Sequence, residues 1–147
     1  MKERLLARVA WAVCGRDLDP DRLTKATGIE PTSKLRRGER RPGKQIPPPW
    51  GKWELECEAT SDGNSSEVDG AAKALLALLW PHRRTLARLA REDGEWTKLE
   101  IWWEPPELPA DFGSEGPLLR KLASMADEVT FYVVPRTRKR RSAKRKS

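Results

Sequence analysis

The chain has 147 residues and a formal net charge of +7, a length that suits one ordinary domain and is too short for two separate cores. A chain of this size buries enough surface to fold without disulfides or metal. Its two cysteines and one histidine cannot supply a usual structural zinc site, and no apolar run approaches the ~20 residues of a membrane span.

The N-terminal stretch has basic residues and then Leu5, Ala7, Val9, Trp11 and Val13 alternating with Leu6, Arg8, Ala10 and Ala12. That period of two predicts a strand. No small-residue cleavage site precedes the fold, so the stretch is not read as a leader, and the expected compartment is the cytoplasm. Gly15 to Asp17 turns the chain. Asp19, Pro20 and Asp21 then predict a helix start, with Asp19 as the cap and Pro20 in the first helical position. Leu18 and Leu23 stand as a hydrophobic staple. Gly28 and Pro31 end this helix early.

Residues Lys34 to Trp50 read as a long loop closing on Pro47, Pro48 and Pro49, whose expected conformation is extended. Trp53, Leu55 and Cys57 alternate with Lys52, Glu54, Glu56 and Glu58 as a half-buried strand. Val68, Ala72, Leu75, Leu79, His82, Leu86 and Leu89 mark one apolar face of a long helix. Ser66 and Asp69 are its candidate capping pair, and Pro81 must kink it. Leu99, Ile101 and Trp103 alternate with Lys98, Glu100 and Trp102 as a third strand, ended by Pro105, Pro106 and Pro109. Gly116 and Pro117 open a third helix with Leu118, Leu119, Leu122 and Met125 inward. Val129, Phe131 and Val133 alternate with Thr130, Tyr132 and Val134 as a fourth strand, and Pro135 closes the fold.

The order is β-α-β-α-β-α-β. It predicts an α+β domain with one four-stranded sheet, mixed or antiparallel, backed by helices. The polar positions along the strands leave one face only partly covered. Cys14 and Cys57 both fall on strands, which favours buried thiols over a disulfide.

Charge divides the chain into a body, residues 1–135, and a tail, residues 136–147. Arg136, Arg138, Lys139, Arg140, Arg141, Lys144, Arg145 and Lys146 supply eight positive charges with no acid. Subtracting these eight from +7 leaves −1 for the body. A segment so rich in charge cannot pack a core, so the expectation is a disordered tail.

The segments Gly15-Arg16-Asp17-Leu18-Asp19-Pro20 and Thr27-Gly28-Ile29-Glu30-Pro31-Thr32 resemble the opening of the domain-of-unknown-function family numbered 4279. The basic stretch Leu35-Arg36-Arg37-Gly38-Glu39, the strand Trp53-Glu54-Leu55, the Leu-rich helix broken by Pro and the closing Phe/Tyr strand are similar too. The resemblance spans residues 5–134. It implies a small bacterial domain of unsettled function and carries over no catalytic residues.

Four groups are candidates for function. The tail can neutralise phosphates, with affinity that falls steeply with salt, or it can serve only as a solvated appendage. In the long loop, Lys34, Arg36, Arg37, Arg40, Arg41 and Lys44 stand near Trp50, a pattern that can grip a backbone and stack a base. Arg16 joins them if the preceding turn is close. Trp53 is read as packing. Trp102 and Trp103 must face opposite sides of the sheet, so Trp102 is a candidate contact for a partner or a second subunit, as is Trp50; Trp96 belongs to the same aromatic set. His82 lies on an apolar seam and has no partner motif for acid–base work. Asp17, Asp19 and Asp21 fit capping better than calcium binding. There is no phosphate loop, nucleophile elbow or dinucleotide fingerprint.

These patterns lead to a non-enzymatic binding domain without a cofactor. Its basic tail is expected to contact nucleic acid or another polyanion. The alternative is a protein–protein module, such as an immunity or regulatory protein, acting through the sheet face and the Lys34–Trp50 loop.

Overall fold

A computed structural model describes residues 5–44, 46–60, 67–104 and 116–134. The elements are β1 (Leu5–Gly15), α1 (Pro20–Thr27), β2 (Ser33–Leu35), β3 (Gly51–Thr60), α2 (Glu67–Leu79), a 3-10 turn (Trp80–His82), α3 (Arg83–Glu92), β4 (Trp96–Trp103), α4 (Gly116–Ala123) and β5 (Glu128–Val133). The tail, the Ser66 cap and the prolines at 105, 106, 109 and 135 lie outside the described residues.

The sheet has five strands in the order β2-β3-β1-β4-β5. β1 pairs antiparallel with both β3 and β4, β2 pairs antiparallel with β3, and β5 runs parallel to β4. The fold is therefore α+β with one open mixed sheet, and the count of four strands is corrected to five. The extra strand begins at Ser33 and takes in Lys34 and Leu35, the start of the stretch read as loop. Three residues are too few to show a period. What holds β2 in place is a pair of anchors beside it. The Thr32 amide donates to the Glu54 carbonyl at 2.8 Å, and the Glu56 amide donates to Thr32 Oγ1 at 3.0 Å.

The helices pack on one face of this sheet. That face presents Val9, Trp11 and Val13 from the central strand, Trp53 and Leu55 from β3, and Leu99, Ile101 and Trp103 from β4. Trp11 and Trp53 are fully enclosed and meet edge to face at 6.1 Å. Each indole N–H finds an acceptor, as a buried tryptophan requires. Trp11 Nε1 donates to the Met125 carbonyl at 2.9 Å and Trp53 Nε1 to Thr24 Oγ1 at 3.2 Å. The apolar seam of α2 and α3 delivers Val68, Ala72, Leu75, Leu79, Leu86 and Leu89 to the same core. Pro81 lacks the N–H that a continuous helix needs, and the break is taken up by the 3-10 turn.

The capping expected of α1 is present. Asp19 accepts from the Asp21 amide, Pro20 is the first helical residue, and Gly28 ends the helix at φ 72 in the left-handed region. Cys14 and Cys57 are free thiols on opposite faces of the sheet. Burial pushes both thiols upward from their ordinary pKa, which disfavours the thiolate. Among the described residues no helix is long and apolar enough to cross a membrane.

β5 is an edge strand. Val129, Phe131, Tyr132, Val133 and Val134 are all substantially exposed. The alternation that marked a strand was correct, but it could not show that this strand would be paired on one side only.

Candidate anion-binding cleft

Lys34, Arg36 and Arg37 of the long loop do not stand free. The turns at Gly38 and Gly43, both with positive φ, fold the loop back, and the Gly38 amide donates to the Pro48 carbonyl at 2.9 Å. This lays the basic residues against the start of α1. Arg36 pairs with Asp21 and lies 3.7 Å from Asp19. Arg37 pairs with Asp17 at 3.3 Å and Lys34 with Asp21 at 3.2 Å. The three aspartates read as capping residues thus also serve as counter-charges. Arg40 is exposed and forms no ion pair with a described residue, while Arg41 is half-buried with its Nε unsatisfied. Arg16 is exposed and forms no ion pair with a described residue.

The tryptophans separate by face. Trp103 is buried on the helix side. Trp102 lies on the opposite face, half-buried, with the Arg8 guanidinium 5.8 Å from its ring centroid. Trp50 is 41% exposed and meets Trp96 edge-on at 5.6 Å. The tail arginines and lysines, 136–146, lie outside the described residues.

A different group of cations surrounds a second surface feature, a cleft. It measures about 660 Å³ and is bounded by α3, the turn into β4 and the turn between α4 and β5. Ala87 and Ala90 of α3 line it, together with Arg83, Arg84 and Arg91 and with Trp80 and Trp96. The far wall is fixed by reciprocal hydrogen bonds. Asp127 Oδ2 accepts from the Thr97 amide at 2.9 Å and from Thr97 Oγ1 at 3.2 Å, and the Asp127 amide donates to Thr97 Oγ1 at 2.9 Å. Gly94 lets the chain pass from α3 into β4, because a Cβ there would meet the Ala90 carbonyl at 2.7 Å and Val13 at 2.8 Å.

The cations of this cleft have little to neutralise them. Arg83 donates to the Trp80 carbonyl at 2.9 Å and lies 4.4 Å from the Trp80 ring. Lys121 of α4 lies 5.2 Å from the same ring. Both are cation–π contacts, which leave the positive charge in place. Arg84 and Arg91, and Arg88 beside them, form no ion pair with a described residue. The first turn of α3 holds Arg83 and Arg84 and no acid, the reverse of what a helix dipole favours. Two acids line the cleft. Asp127 is committed to Thr97, and Glu95 is exposed. His82 does not line it. Among the described residues no three His, Cys, Asp or Glu side chains group as metal ligands would.

The sequence reading missed Arg83, Arg84, Arg88 and Arg91. Their signal was present: Arg84, Arg88 and Arg91 repeat at four and three residues opposite Leu86 and Leu89, which is a charge stripe on an amphipathic helix.

The fold and this cleft define a one-sided α+β domain with a basic, aromatic-edged groove. The chain belongs to the family described as Domain of unknown function (DUF4279), whose model matches residues 6–103. The match ends with β4, so the resemblance is narrower than residues 5–134, and α4 and β5 fall beyond it. Neither the curated proteins nor the solved structures provide a match to the chain.

Proposed function

We propose that this protein is a non-enzymatic binding domain that engages a polyanion, nucleic acid foremost, through α3 and the basic residues 136–146. A cytoplasmic location suits such a partner. The observation that carries the reading is the stripe Arg84, Arg88 and Arg91, exposed on one helix without a counter-acid. Arg84 and Arg91 stand about 10 Å apart along the helix axis, a span suited to a chain of phosphates more than to one small anion. Guanidinium groups also stack on bases as well as pairing with phosphate, and Trp80 adds aromatic surface to the cleft lining.

The test is a salt titration of oligonucleotide binding by the full chain and by its Arg84→Ser/Arg88→Ser/Arg91→Ser variant. Each lost phosphate contact lowers the log–log salt slope by about 0.7 to 0.9. The variant is therefore expected to lose about two slope units and about tenfold or more in affinity at low salt. An unchanged slope and affinity would sink the role of α3.

A second reading, a protein–protein module, is favoured by one observation. The exposed apolar strand β5 borders a hollow of about 400 Å³ lined by Leu99, Ile101, Leu119, Ala123, Val129 and Phe131. An apolar edge strand is a template for strand pairing, and a second copy is the simplest partner to supply one. Sedimentation of the full chain at rising concentration should then show a dimer that Phe131→Lys dissolves. A monomer at every concentration removes the homodimer form of this reading.

A further inference from the structure

The sheet face turned away from the helices has a charge pattern of its own. Its side chains fall in cross-strand rows set by the pairing register. One row is Glu58, Arg8, Trp102 and Tyr132; the next is Glu56, Ala10, Glu100 and Thr130; the next is Glu54, Ala12, Lys98 and Glu128. Lys52 and Cys14 follow. Down the central strand the floor is short: Ala10, Ala12 and Cys14. Five acids therefore stand among three bases. Each base has a partner: Arg8 with Glu56 at 3.8 Å, Lys52 with Glu54 at 3.8 Å and Lys98 with Glu100 at 3.0 Å. Glu58 and Glu128 remain without a cation among the described residues. Glu56 is crowded. Burial, outweighing the nearby Arg8, and then the neighbouring acids Glu58 and Glu54 hold its carboxyl above the usual range.

The chain beyond β5 starts at the right end of this face. The Val134 amide donates to the Trp103 carbonyl at 2.8 Å, one residue past the row that holds Glu58, Arg8 and Trp102. From there on the sequence runs Pro135 to Ser147, with eight basic residues and no acid. Three strand spacings separate Tyr132 from Glu58, about 14 Å, and about five extended residues cover that distance. The path from β5 to β3 crosses Trp102, whose ring is half-buried and already draws one guanidinium.

We propose that the basic segment Arg136–Lys146 docks across the acidic face of its own sheet, over Trp102 and against Glu100, Glu56 and Glu58, and that a polyanion must displace it to bind. The docking stands on the charge pattern and the exit point alone. The competition rests on the polyanion reading above. Docking supplies the cation that Glu58 lacks, adds positive charge beside the crowded Glu56, and covers the tryptophan that no described helix covers. It also makes the segment selective, because a weakly charged anion cannot outcompete the sheet for eight cations.

Limited tryptic digestion of the full chain reads the docking without any nucleic acid present. In about 20 mM salt, where surface charges are little screened, cleavage after the basic residues of 136–146 should be about tenfold slower in the native chain than in the Glu56→Gln/Glu58→Gln/Glu100→Gln variant. About 500 mM salt should bring the two rates together. Equal rates at low salt overturn the docking. Protection that grows with protein concentration places the segment on a second copy and overturns it as an intramolecular contact. A second measurement does not depend on the folding of the glutamine variant. The indole N–H resonance of Trp102 should move with salt in the native chain and stay still when Arg138, Lys139, Arg140 and Arg141 are changed to glutamine. A Trp102 resonance indifferent to those changes also overturns the proposal. Oligonucleotide binding separates the two readings: the glutamine variant should bind several-fold more tightly. Tryptic protection with no oligonucleotide binding in either chain overturns the competition and the polyanion reading while the docking stands. Oligonucleotide binding with no tryptic protection overturns the docking alone.

Discussion

Arg36 and Arg37 lie against the aspartates at the start of α1, whereas Arg84, Arg88 and Arg91 occupy one exposed side of α3 with no described acid paired to them. Both groups are basic runs on the same domain. In the first, three aspartates within five residues, Asp17, Asp19 and Asp21, meet the returning loop and neutralise Lys34, Arg36 and Arg37. In the second, the neighbouring acids are spent elsewhere. Glu92 and Asp93 both pair with Arg22 of α1, and the hydrogen bond that Arg22 donates to Asp93 raises the Arg22 pKa above its ordinary value. The difference teaches that available charge is a property of pairing. Within residues 1–135 a count of Lys and Arg ranks the loop above α3, while pairing leaves α3 the more available.

This contrast can be inverted by removing the acids. Asp17→Asn with Asp21→Asn should free Arg36, Arg37 and Lys34 and strengthen oligonucleotide binding about tenfold at low ionic strength, with a steeper salt dependence. Asp19 is left in place because it also caps α1. The measurement is the same salt titration used for α3. No gain in affinity would mean that the loop cations stay masked by something other than these carboxylates, and the contrast between the two groups would lose its cause.

Much of the framework was legible in the residues. The alternation of Val9, Trp11 and Val13, of Trp53 and Leu55, and of Leu99, Ile101 and Trp103 located β1, β3 and β4, because a strand with one buried face must alternate. Asp19, Pro20 and Gly28 bracketed α1, because helix ends have fixed chemical needs. The seam from Val68 to Leu89 was visible through its Pro81 break. What stayed hidden was tertiary. β2 has three residues and takes its place from Thr32 and β3. The exposure of Phe131 depends on β5 lying at the edge of the sheet. Arg36 and Asp21 are fifteen positions apart, and only the folding of the loop between them makes them a pair. The cleft required α3, the start of β4 and the Ser124–Asp127 turn to meet, which no local pattern encodes.

The smallest expected effect is also the one that separates stability from binding most cleanly. Arg36→Gln with Arg37→Gln removes two cations by sequence but almost none by available charge. Oligonucleotide affinity should change by less than about twofold, against the tenfold loss expected for the α3 serine variant. Stability should respond instead, because the loop is tied to α1 through these pairs. Both arginine side chains are 45% exposed, so solvent screens the pairs and the loss should be about 0.5–1 kcal/mol, a fall in melting temperature of about 1–4 °C. The α3 serine variant should show the opposite pattern, since Arg84, Arg88 and Arg91 have no described ion pairs to lose and serine is only slightly poorer in a helix. If the loop variant loses binding and keeps its melting temperature, its arginines touch the polyanion directly and their pairing with Asp17 and Asp21 does not mask them.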